Sequence, residues 1–293
     1  MTPIPRGWPL IAFIITLAIG VVAYRLLSSH RLEQTAALFI GLPTILALAV
    51  LMLAPQPKSW TGAIFMTITI FLLISGMLLG EGFICVLMAA PIAYAVGLIV
   101  GLLSDWFEKK GHAKNALMII PFAMMSLEGV HGRLSFGRME TITAEEVVTG
   151  SPASVEHALA ATPHFDRALP LFLNLGFPRP VGALGTGLNP GDQRLIHFAG
   201  GEGRPGDLLL IVTERDPMRV RFMITSDSSH IAHWLAWKSA EVTWEPVDAQ
   251  HTRVRWTTVY RRLLDPAWYF RPWERYAVRL SASYLIDTLA IPQ

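Results

Sequence analysis

The sequence contains a single cysteine, Cys85, which lies inside an apolar segment. One cysteine cannot form an intrachain disulfide, and this fits a chain whose polar part faces a reducing cytoplasm. Charged residues are also scarce, at 16% of the chain, and the formal net charge is only +2. Because no run of basic residues is present, the sequence argues against a nucleic-acid partner.

Motifs for common catalytic and metal centres are missing as well. The chain has neither a GxSxG nucleophile motif nor an HExxH zinc motif. In SDSSHIAHW, the residues Asp227, His230 and His233 are spaced by three and could meet at a divalent metal if this stretch were helical. We favour a polar connection between strands, and therefore expect neither a metal nor a cofactor.

Charge is distributed unevenly along a chain that is 52% hydrophobic, with a mean hydropathy of +0.43. Residues 1–128 hold seven Lys or Arg and five Asp or Glu, whereas residues 129–293 hold seventeen of each. This break in composition predicts one unit in a membrane and one outside it. We expect a transmembrane domain over 1–106, a linker over 107–143 and a second domain over 144–293.

Four apolar stretches of 17–22 residues have the length that a helix needs to cross a bilayer. Short polar or turn-forming breaks separate them, and such breaks favour antiparallel neighbours. The sequence therefore predicts an all-α transmembrane four-helix bundle. The predicted spans are Trp8–Tyr24, Thr35–Ala54, Thr61–Gly80 and Phe83–Ser104.

Basic residues near the ends of these spans predict the orientation of the chain. Positive residues concentrate on the cytoplasmic side of membrane proteins. Here the majority side holds the N-terminus and the end of the fourth span, so both termini and the second domain are predicted to be cytoplasmic, in a multi-pass protein of a bacterial inner membrane. The majority residues are Arg6, Lys58, Lys109, Lys110 and Lys114; Arg25 and Arg31 lie on the other side.

The stretch 115–125, NALMIIPFAMM, is apolar but only 11 residues long and contains Pro121. This is about half the length of a span, so we interpret it as an interfacial or re-entrant segment. A fifth crossing is the alternative, and it would move the second domain to the other side.

Glu81 interrupts an otherwise uncharged run from Thr61 to Ser104. Flanking glycines favour a tight turn between the third and fourth spans, where a carboxylate at the headgroup level costs little. Alternatively Glu81 lies inside the apolar boundary and contacts a partner, either His30 or Arg31 or a group from another subunit.

The second half changes to the alternating pattern of β-strands. A strand ends near Gly150, and helices are predicted over 153–161 and 166–175. Along the last strand, Val254, Trp256, Thr258 and Tyr260 share one face, as in a one-sided antiparallel sheet. A helix is predicted from Pro266 to Ala290. Strands are predicted at 181–188, 193–199, 207–215, 218–226, 237–247 and 251–262.

This order of elements, with its particular segments, resembles the START-related helix-grip superfamily (SRPBCC), which includes polyketide cyclase/dehydrase-like and lipid-transfer proteins. The resemblance covers roughly 144–290 and implies an α+β domain in which an antiparallel sheet wraps around a long C-terminal helix. It also implies an interior that holds an apolar molecule. The segments that carry it are SPASVEHALA, DQRLIHFAGG, DLLLIVTERDPMRVRFMI, AEVTWEPVDAQHTRVRWTTVYRR and LLDPAWYFRPWERYAVRLSASYLIDTL.

Aromatic residues on the predicted strands and the last helix are candidates to line such an interior, although ordinary core packing is the favoured role for any single one of them. Cyclase-like relatives use polar groups inside their cavities, so the resemblance makes His197, Arg194 and Tyr260 a nominal acid–base set, with core packing the favoured role for His197. The aromatic candidates are Phe222, Trp244, Trp256, Tyr260, Trp273, Tyr276 and Tyr284.

Arg271, Arg275 and Arg279 step by four along the last helix and therefore share a face. They form either a solvated surface balanced by Glu274 or a contact for anionic lipid headgroups or a partner subunit. The glycine-rich loop at 200–204 leads into no helix, so we interpret it as a hairpin loop or a flap rather than a phosphate site.

Three functions follow from these features. The first is a membrane-anchored protein whose cytoplasmic helix-grip domain binds or shuttles an apolar ligand such as a lipid, a hopanoid- or sterol-like molecule or a quinone. The second is a non-catalytic accessory or assembly subunit of a larger membrane complex. The third, a cyclase-like enzyme, has the least support because no acid–base set is evident in the sequence.

Overall fold

A computed structural model of the chain shows two units, Met1–Phe136 with Leu264–Trp268, and Gly137–Leu263 with Tyr269–Gln293. Glu81, Arg6, Arg31, Lys114 and most of the glycine-rich loop lie outside the described residues. The described residues are 8–30, 32, 34–53, 58–78, 83–110, 120–131, 134–200 and 205–290, without the side chains of 75–78 and 83.

The first unit is helical, as its composition predicts. Many large apolar side chains on its helices are exposed, including Leu10 at 64%, Val22 at 66% and Leu73 at 66%. Its helices are α1 (Trp8–Ser29), α2 (Leu42–Leu53, continuing a π-helical turn at Ala37–Gly41), α3 (Trp60–Leu78), α4 (Phe83–Lys109) and α5 (Ile120–Met125).

A bundle of four spanning helices is not confirmed. Among the described residues, two helices are long and apolar enough to cross a membrane, Trp8–Ser29 and Ile84–Lys109. At 1.5 Å per residue, the 22 residues of α1 extend about 33 Å, which matches a hydrocarbon core of about 30 Å. The other two apolar helices are shorter over their fully described residues, Ala37–Leu53 and Trp60–Ile74.

Helices α3 and α4 pack closely and antiparallel. Gly97 and Gly101 form a small-xxx-small pair on α4, and an added Cβ at Gly101 would lie 2.6 Å from the Cα of Thr61. The carboxylate of Asp105 accepts hydrogen bonds from the N–H of Trp60 at 2.6 Å and the hydroxyl of Thr61 at 2.7 Å. This carboxylate therefore caps the N-terminus of α3 and favours its dipole.

Within the predicted interfacial segment at 115–125, the described part forms the six-residue helix α5. A helix of this length rises about 9 Å, far less than a bilayer core. Phe122 is buried, whereas Met124 is 68% exposed. An interfacial position thus remains a prediction for this short apolar helix.

The second unit is a seven-stranded antiparallel sheet followed by a long C-terminal helix, as the helix-grip resemblance implies. The strand order is β1-β7-β6-β5-β4-β3-β2. The strands are β1 (Met139–Thr149), β2 (Arg179–Leu184), β3 (Gln193–Ala199), β4 (Gly206–Asp216), β5 (Arg219–Asp227), β6 (Leu235–Pro246) and β7 (His251–Arg262); the helices are α6 (Pro152–Ala160) and α7 (Ala267–Leu285), which ends in a π-helical turn at Ile286–Ala290.

Helix α6 begins as the sequence predicts, because the hydroxyl of Ser151 accepts from the N–H of Ser154 and Pro152 occupies the first turn. The helix predicted over 166–175 is wrong. Only a 3₁₀ turn at Leu173–Leu175 forms there. Pro170 lies in the middle of the predicted helix, where it lacks an N–H and disfavours a helical conformation in the residue before it.

Apolar residues at three- and four-residue steps predict a buried stripe through Tyr269, Trp273, Tyr276 or Ala277, Leu280 and Tyr284 on α7. In the first half of the helix, the stripe that the structure buries is shifted from this by one residue. Phe270, Glu274, Ala277 and Val278 are buried, whereas Trp273 is 40% exposed and Tyr276 is 51% exposed. From hydrophobicity alone, the aromatic rings of Trp273 and Tyr276 are expected to be buried in preference to the carboxylate of Glu274. Ionic contacts with the sheet, described below, override that preference.

Candidate functional site at the rim of the sheet

One face of the sheet forms the interior of the second unit. Residues paired across neighbouring antiparallel strands point to the same face. The register therefore places Ile196, Leu208 and Asp227 in one row, and Arg194, Leu210 and Ile224 in the next. Two polar side chains thus lie in an otherwise apolar part of the inner face.

Burial varies across this inner face. Val220, Val242 and Val254 are fully buried, at 0% exposure each. In contrast, the inner-face side chains of Ile196 and Ile224 are only partly buried. Phe198, Trp237 and Leu280 share this partial burial. The hydrophobic core is thus closed at one end and incompletely covered at the other.

Five aromatic side chains gather at the incompletely covered end, and we call them the aromatic rim: Phe172, Phe177, Trp234, Trp273 and Tyr276. The ring of Phe172 stacks on Trp273 with a centroid distance of 6.1 Å, and it meets Tyr276 edge-on at 5.1 Å. Phe177 lies 5.4 Å from Phe172 and 5.2 Å from Trp234. Three separate segments therefore contribute rings to one continuous cluster.

A polar group adjoins the rim at the end of β5. One carboxylate oxygen of Asp227 accepts from the N–H of Ser229 at 2.8 Å, and the rings of His230 and His233 lie 5.0 Å apart. Burial raises the pKa of the Asp227 carboxyl above its ordinary value, and the hydrogen bonds from Ser229 and the charge of His233 oppose this. Among the described residues, no group of three such side chains is arranged to hold a metal ion.

The first half of α7 is bound to the sheet by charge. The carboxylate of Glu140, on β1, has 2% of its side chain exposed and contacts the Nε of Arg271 and the Nη1 of Arg275, each at 2.7 Å. Tyr260 is fully buried beside these groups, and burial together with the carboxylates of Glu274 and Glu140 raises its pKa. Arg271 and Arg275 are thus engaged within the unit.

The structure separates the seven aromatic candidates into two sets. Trp273 and Tyr276 belong to the aromatic rim. The other five are buried in the interior, with exposures of 0–7%: Phe222, Trp244, Trp256, Tyr260 and Tyr284. The hydroxyl of Tyr284 also donates to the backbone oxygen of Arg167 at 3.1 Å, which connects α7 with the segment that carries Phe172.

The nominal acid–base set does not converge. His197 alternates with Arg194 and Ile196 along β3 and so points away from the interior, where its Nδ1 lies 2.7 Å from the carboxylate of Asp207. Tyr260 and Arg194 face inward. Arg279, the third arginine of the predicted contact face, is exposed, and the lipid or partner contact predicted for this face remains a prediction.

Phe172, Phe177 and Trp234 were not among the residues that the sequence suggested. They lie outside the strands and long helices, where periodic patterns give no signal. An available signal is the density of large apolar residues in the irregular stretch PLFLNLGFP at 170–178. Exposed loops rarely carry so many unless they cover or bind something.

No family model and no curated protein sequence matches the chain. Solved structures that resemble it are START- and aromatase/cyclase-type proteins that cover about half of its length. Norcoclaurine synthase from Thalictrum flavum, in complex with dopamine and hydroxybenzaldehyde, is 14% identical, with 52% of this chain and 84% of that chain covered and a TM-score of 0.36.

Two further structures give similar values. A START superfamily protein from Mycobacterium smegmatis is 12% identical over 52% of this chain and 97% of that chain, with a TM-score of 0.37. Zhui aromatase/cyclase from Streptomyces is 16% identical over 52% and 92%, with a TM-score of 0.36. The strand order and the antiparallel register of the second unit define its fold independently of these similarities.

Proposed function

We propose that this chain is a membrane-anchored binding protein whose second unit takes up an apolar molecule at the aromatic rim. The observation that carries the proposal is the contact of Phe172 with Trp273 and Tyr276, two rings that remain 40% and 51% exposed. Large aromatic surfaces left open beside a partly covered apolar interior are typical of sites for apolar ligands.

The proposed ligand class is a lipid, a hopanoid- or sterol-like molecule, or a quinone. Membrane anchoring through α1 and α4 supports this class, because it would keep the site near a reservoir of apolar molecules. We place the second unit on the cytoplasmic side on the basis of the flanking basic residues alone. The membrane lipids themselves are then the nearest partners.

Catalysis has less support. His197 pairs with Asp207 on the outer face, while Arg194 and Tyr260 point inward, so these three groups cannot act on one bound molecule. General acid–base chemistry needs its groups within hydrogen-bond reach of the same substrate. A cyclase-like activity therefore remains the third candidate.

An accessory role in a larger membrane complex is the second candidate, and one observation favours it. Leu171 is 83% exposed, Val181 59% and Leu184 60%. Contiguous apolar patches are typical of protein interfaces, and these three residues lie within one stretch of the chain, 171–184. Such an interface would bury them against another subunit.

Native mass spectrometry of the full chain released from detergent tests the proposal. We expect an apolar molecule of defined mass to bind saturably. We expect the double variant Trp273→Ala/Tyr276→Ala to bind it at least about tenfold more weakly, because two aromatic contacts contribute roughly 1–3 kcal/mol together. Trp268→Ala, an exposed tryptophan of α7 outside the rim, is the matched control and should bind as the wild type does.

Two results would contradict the proposal. Saturable binding that the double variant retains would place the ligand elsewhere. Stoichiometric partner chains with no bound small molecule would favour the accessory subunit.

A further inference from the structure

Arg194 is a cation enclosed in the apolar interior of the second unit. It lies on β3 and faces inward in the same row as Leu210 and Ile224, and only 5% of it is exposed. Arginine is almost never buried to this degree unless an anion accompanies it. An arginine in this position is therefore expected to have an anionic partner.

The partners of Arg194 are all uncharged. Its Nη2 donates to the backbone oxygen of Leu159 at the end of α6 and to that of Gly187 at 3.2 Å. The guanidinium carbon lies 5.4 Å from the ring centroid of Phe222. Nε is buried and has no hydrogen-bond partner, and no carboxylate of the described residues lies within ion-pair distance of the group.

Arg215 shows how the same unit treats a comparable arginine that has a carboxylate partner. Its guanidinium lies 4.9 Å from the ring centroid of Trp244, and 16% of its side chain is exposed. Glu156, on α6, forms an ion pair with it. Both arginines thus lie against an aromatic ring, but only Arg215 has its charge balanced.

Burial without a counter-ion is costly for Arg194. Desolvation lowers its pKa to about 10, and the more distant charge of Asp192 only partly opposes this. The group therefore remains protonated near neutral pH. A buried charge that lacks a partner favours binding of an opposite charge, since that contact offsets a desolvation cost already present in the folded protein.

The neighbouring side chains determine what kind of anion fits. Ile224, in the row of Arg194, and Ile196, in the neighbouring row, are partly buried apolar residues of the inner face. A ligand that reaches Arg194 through this region must be mostly apolar. The guanidinium offers its buried Nε–H, and a singly charged carboxylate costs less to bring into this apolar region than a doubly charged phosphate.

We propose that the ligand is an apolar carboxylic acid, with its carboxylate on the guanidinium of Arg194 and its apolar body against Ile196 and Ile224. This rests on the proposed binding function and names the chemical class of the ligand. Arg194 then contributes specificity for an acid over a neutral molecule of the same shape.

Native mass spectrometry with dodecanoic acid and methyl dodecanoate tests this on the full chain in detergent. In the wild type we expect the acid to bind at least about tenfold more tightly than the ester, as for one charge-assisted contact. Arg194→Met should reduce the ratio to about one, because neither molecule then meets a positive charge at this position. Arg215→Met, which removes an arginine that has its own carboxylate partner, should retain the preference for the acid.

Equal binding of acid and ester by the wild type would overturn this inference and leave the binding function standing. Binding of neither probe by a chain that still carries a saturably bound apolar molecule would also overturn this inference alone, whereas the absence of any bound apolar molecule would overturn both. Arg194→Met also loses two hydrogen bonds to the backbone, so a second measurement uses the wild type alone. With dodecanoate labelled with ¹³C at its carboxyl carbon, the NMR titration should give a lower pKa for the bound acid than for the free acid. An unchanged or raised pKa would contradict the contact with Arg194.

Discussion

At the scale of single residues, the enclosed carboxylate of Glu140 explains why α7 presents Glu274 rather than Trp273 to the sheet. Arg271 and Arg275 both reach this carboxylate from α7, and their positions fix the rotation of the helix about its axis. Rotation by one residue would bury Trp273 and Tyr276 but would separate these charges. The contacts of Arg271 and Arg275 with Glu140 therefore keep Trp273 and Tyr276, and with them the aromatic rim, partly exposed.

Glu140→Gln should destabilise the second unit by about 2 kcal/mol, because it leaves two arginines facing an amide in place of a buried carboxylate. Their partial exposure, 52% and 42% of the side chains, keeps the loss below that of a fully buried pair. Chemical denaturation followed by tryptophan fluorescence measures the change.

Glu145→Gln is the matched control. Glu145 lies on the same strand, β1, but on its outer face, and it pairs with Arg253 and Arg255. All three side chains are more than 40% exposed. Exposed pairs contribute less than about 1 kcal/mol. Equal destabilisation by the two substitutions would show that the enclosed position of Glu140 has no special role.

Glu146 should make stability depend on pH. Desolvation raises the pKa of its carboxyl above 4.5, and the nearby Asp287 adds to this while a hydrogen bond from Ser283 opposes it. The folded state therefore holds the proton more tightly than the unfolded state does. The contribution of this carboxyl to the free energy of unfolding is fully present below about pH 4.5, and it is lost as pH rises through the raised pKa.

Glu146→Gln cannot ionise, so it removes the loss of stability that accompanies ionisation of Glu146. We expect the variant to be more stable than the wild type at pH 7 by a fraction of a kcal/mol, on the order of 0.5, and equally stable at pH 4. Thermal unfolding of both proteins at the two pH values provides the measurement. A difference that is the same at both pH values would refute the role of ionisation.

At the scale of elements, the close contact of α3 and α4 depends on glycines that leave no room for a side chain. An added Cβ at Gly101 would meet the backbone of Thr61, whereas one at Gly97 would meet the flexible end of Ile68. Backbone cannot move aside as a side chain can, so the two glycines differ in how much they tolerate.

Gly101→Ala should therefore lower the thermal stability of the first unit, although alanine favours helix formation by about 1 kcal/mol. The control Gly62→Ala places its Cβ no closer than 3.9 Å to Ser59, and we expect it to be neutral or stabilising. Melting of a fluorescent fusion in detergent compares the two. If Gly101→Ala proved as stable as Gly62→Ala, the inferred close contact of α3 with α4 at Gly101 would be contradicted.

The strands could be predicted from the sequence more closely than the helical segments of the second unit. Alternation along 251–262 gives the correct inner face because each strand residue points to one of only two sides. Pro170 is a signal in the sequence against the helix predicted over 166–175. The packing of the stretch 161–178 and the phase of α7 could not be predicted, because distant contacts decide them. The contact of Tyr284 with the backbone oxygen of Arg167 and that of Glu140 with Arg275 each join residues more than 100 positions apart.

At the scale of the whole molecule, the division of the chain into an apolar and an ordinary globular unit follows from its charge distribution. The first unit exposes large apolar side chains on its helices. The second packs one seven-stranded sheet against a main hydrophobic core and a smaller cluster at Ile142, Leu235, Tyr260 and Val278. The rim as a whole could not be predicted, because Phe172 and Phe177 meet Trp234 only once two irregular segments that are distant in sequence are folded.

The central claim is that the second unit binds an apolar molecule at the aromatic rim, and photo-crosslinking tests it most directly. A fatty acid with a diazirine in its chain would be bound to the full protein in detergent, illuminated, and located by mass spectrometry of peptides. We predict labelling around Phe172, Phe177, Trp234, Trp273 and Tyr276, and its loss when an excess of unlabelled fatty acid competes. Labelling confined to the helices of the first unit, or labelling of the rim that no competitor reduces, would contradict the claim.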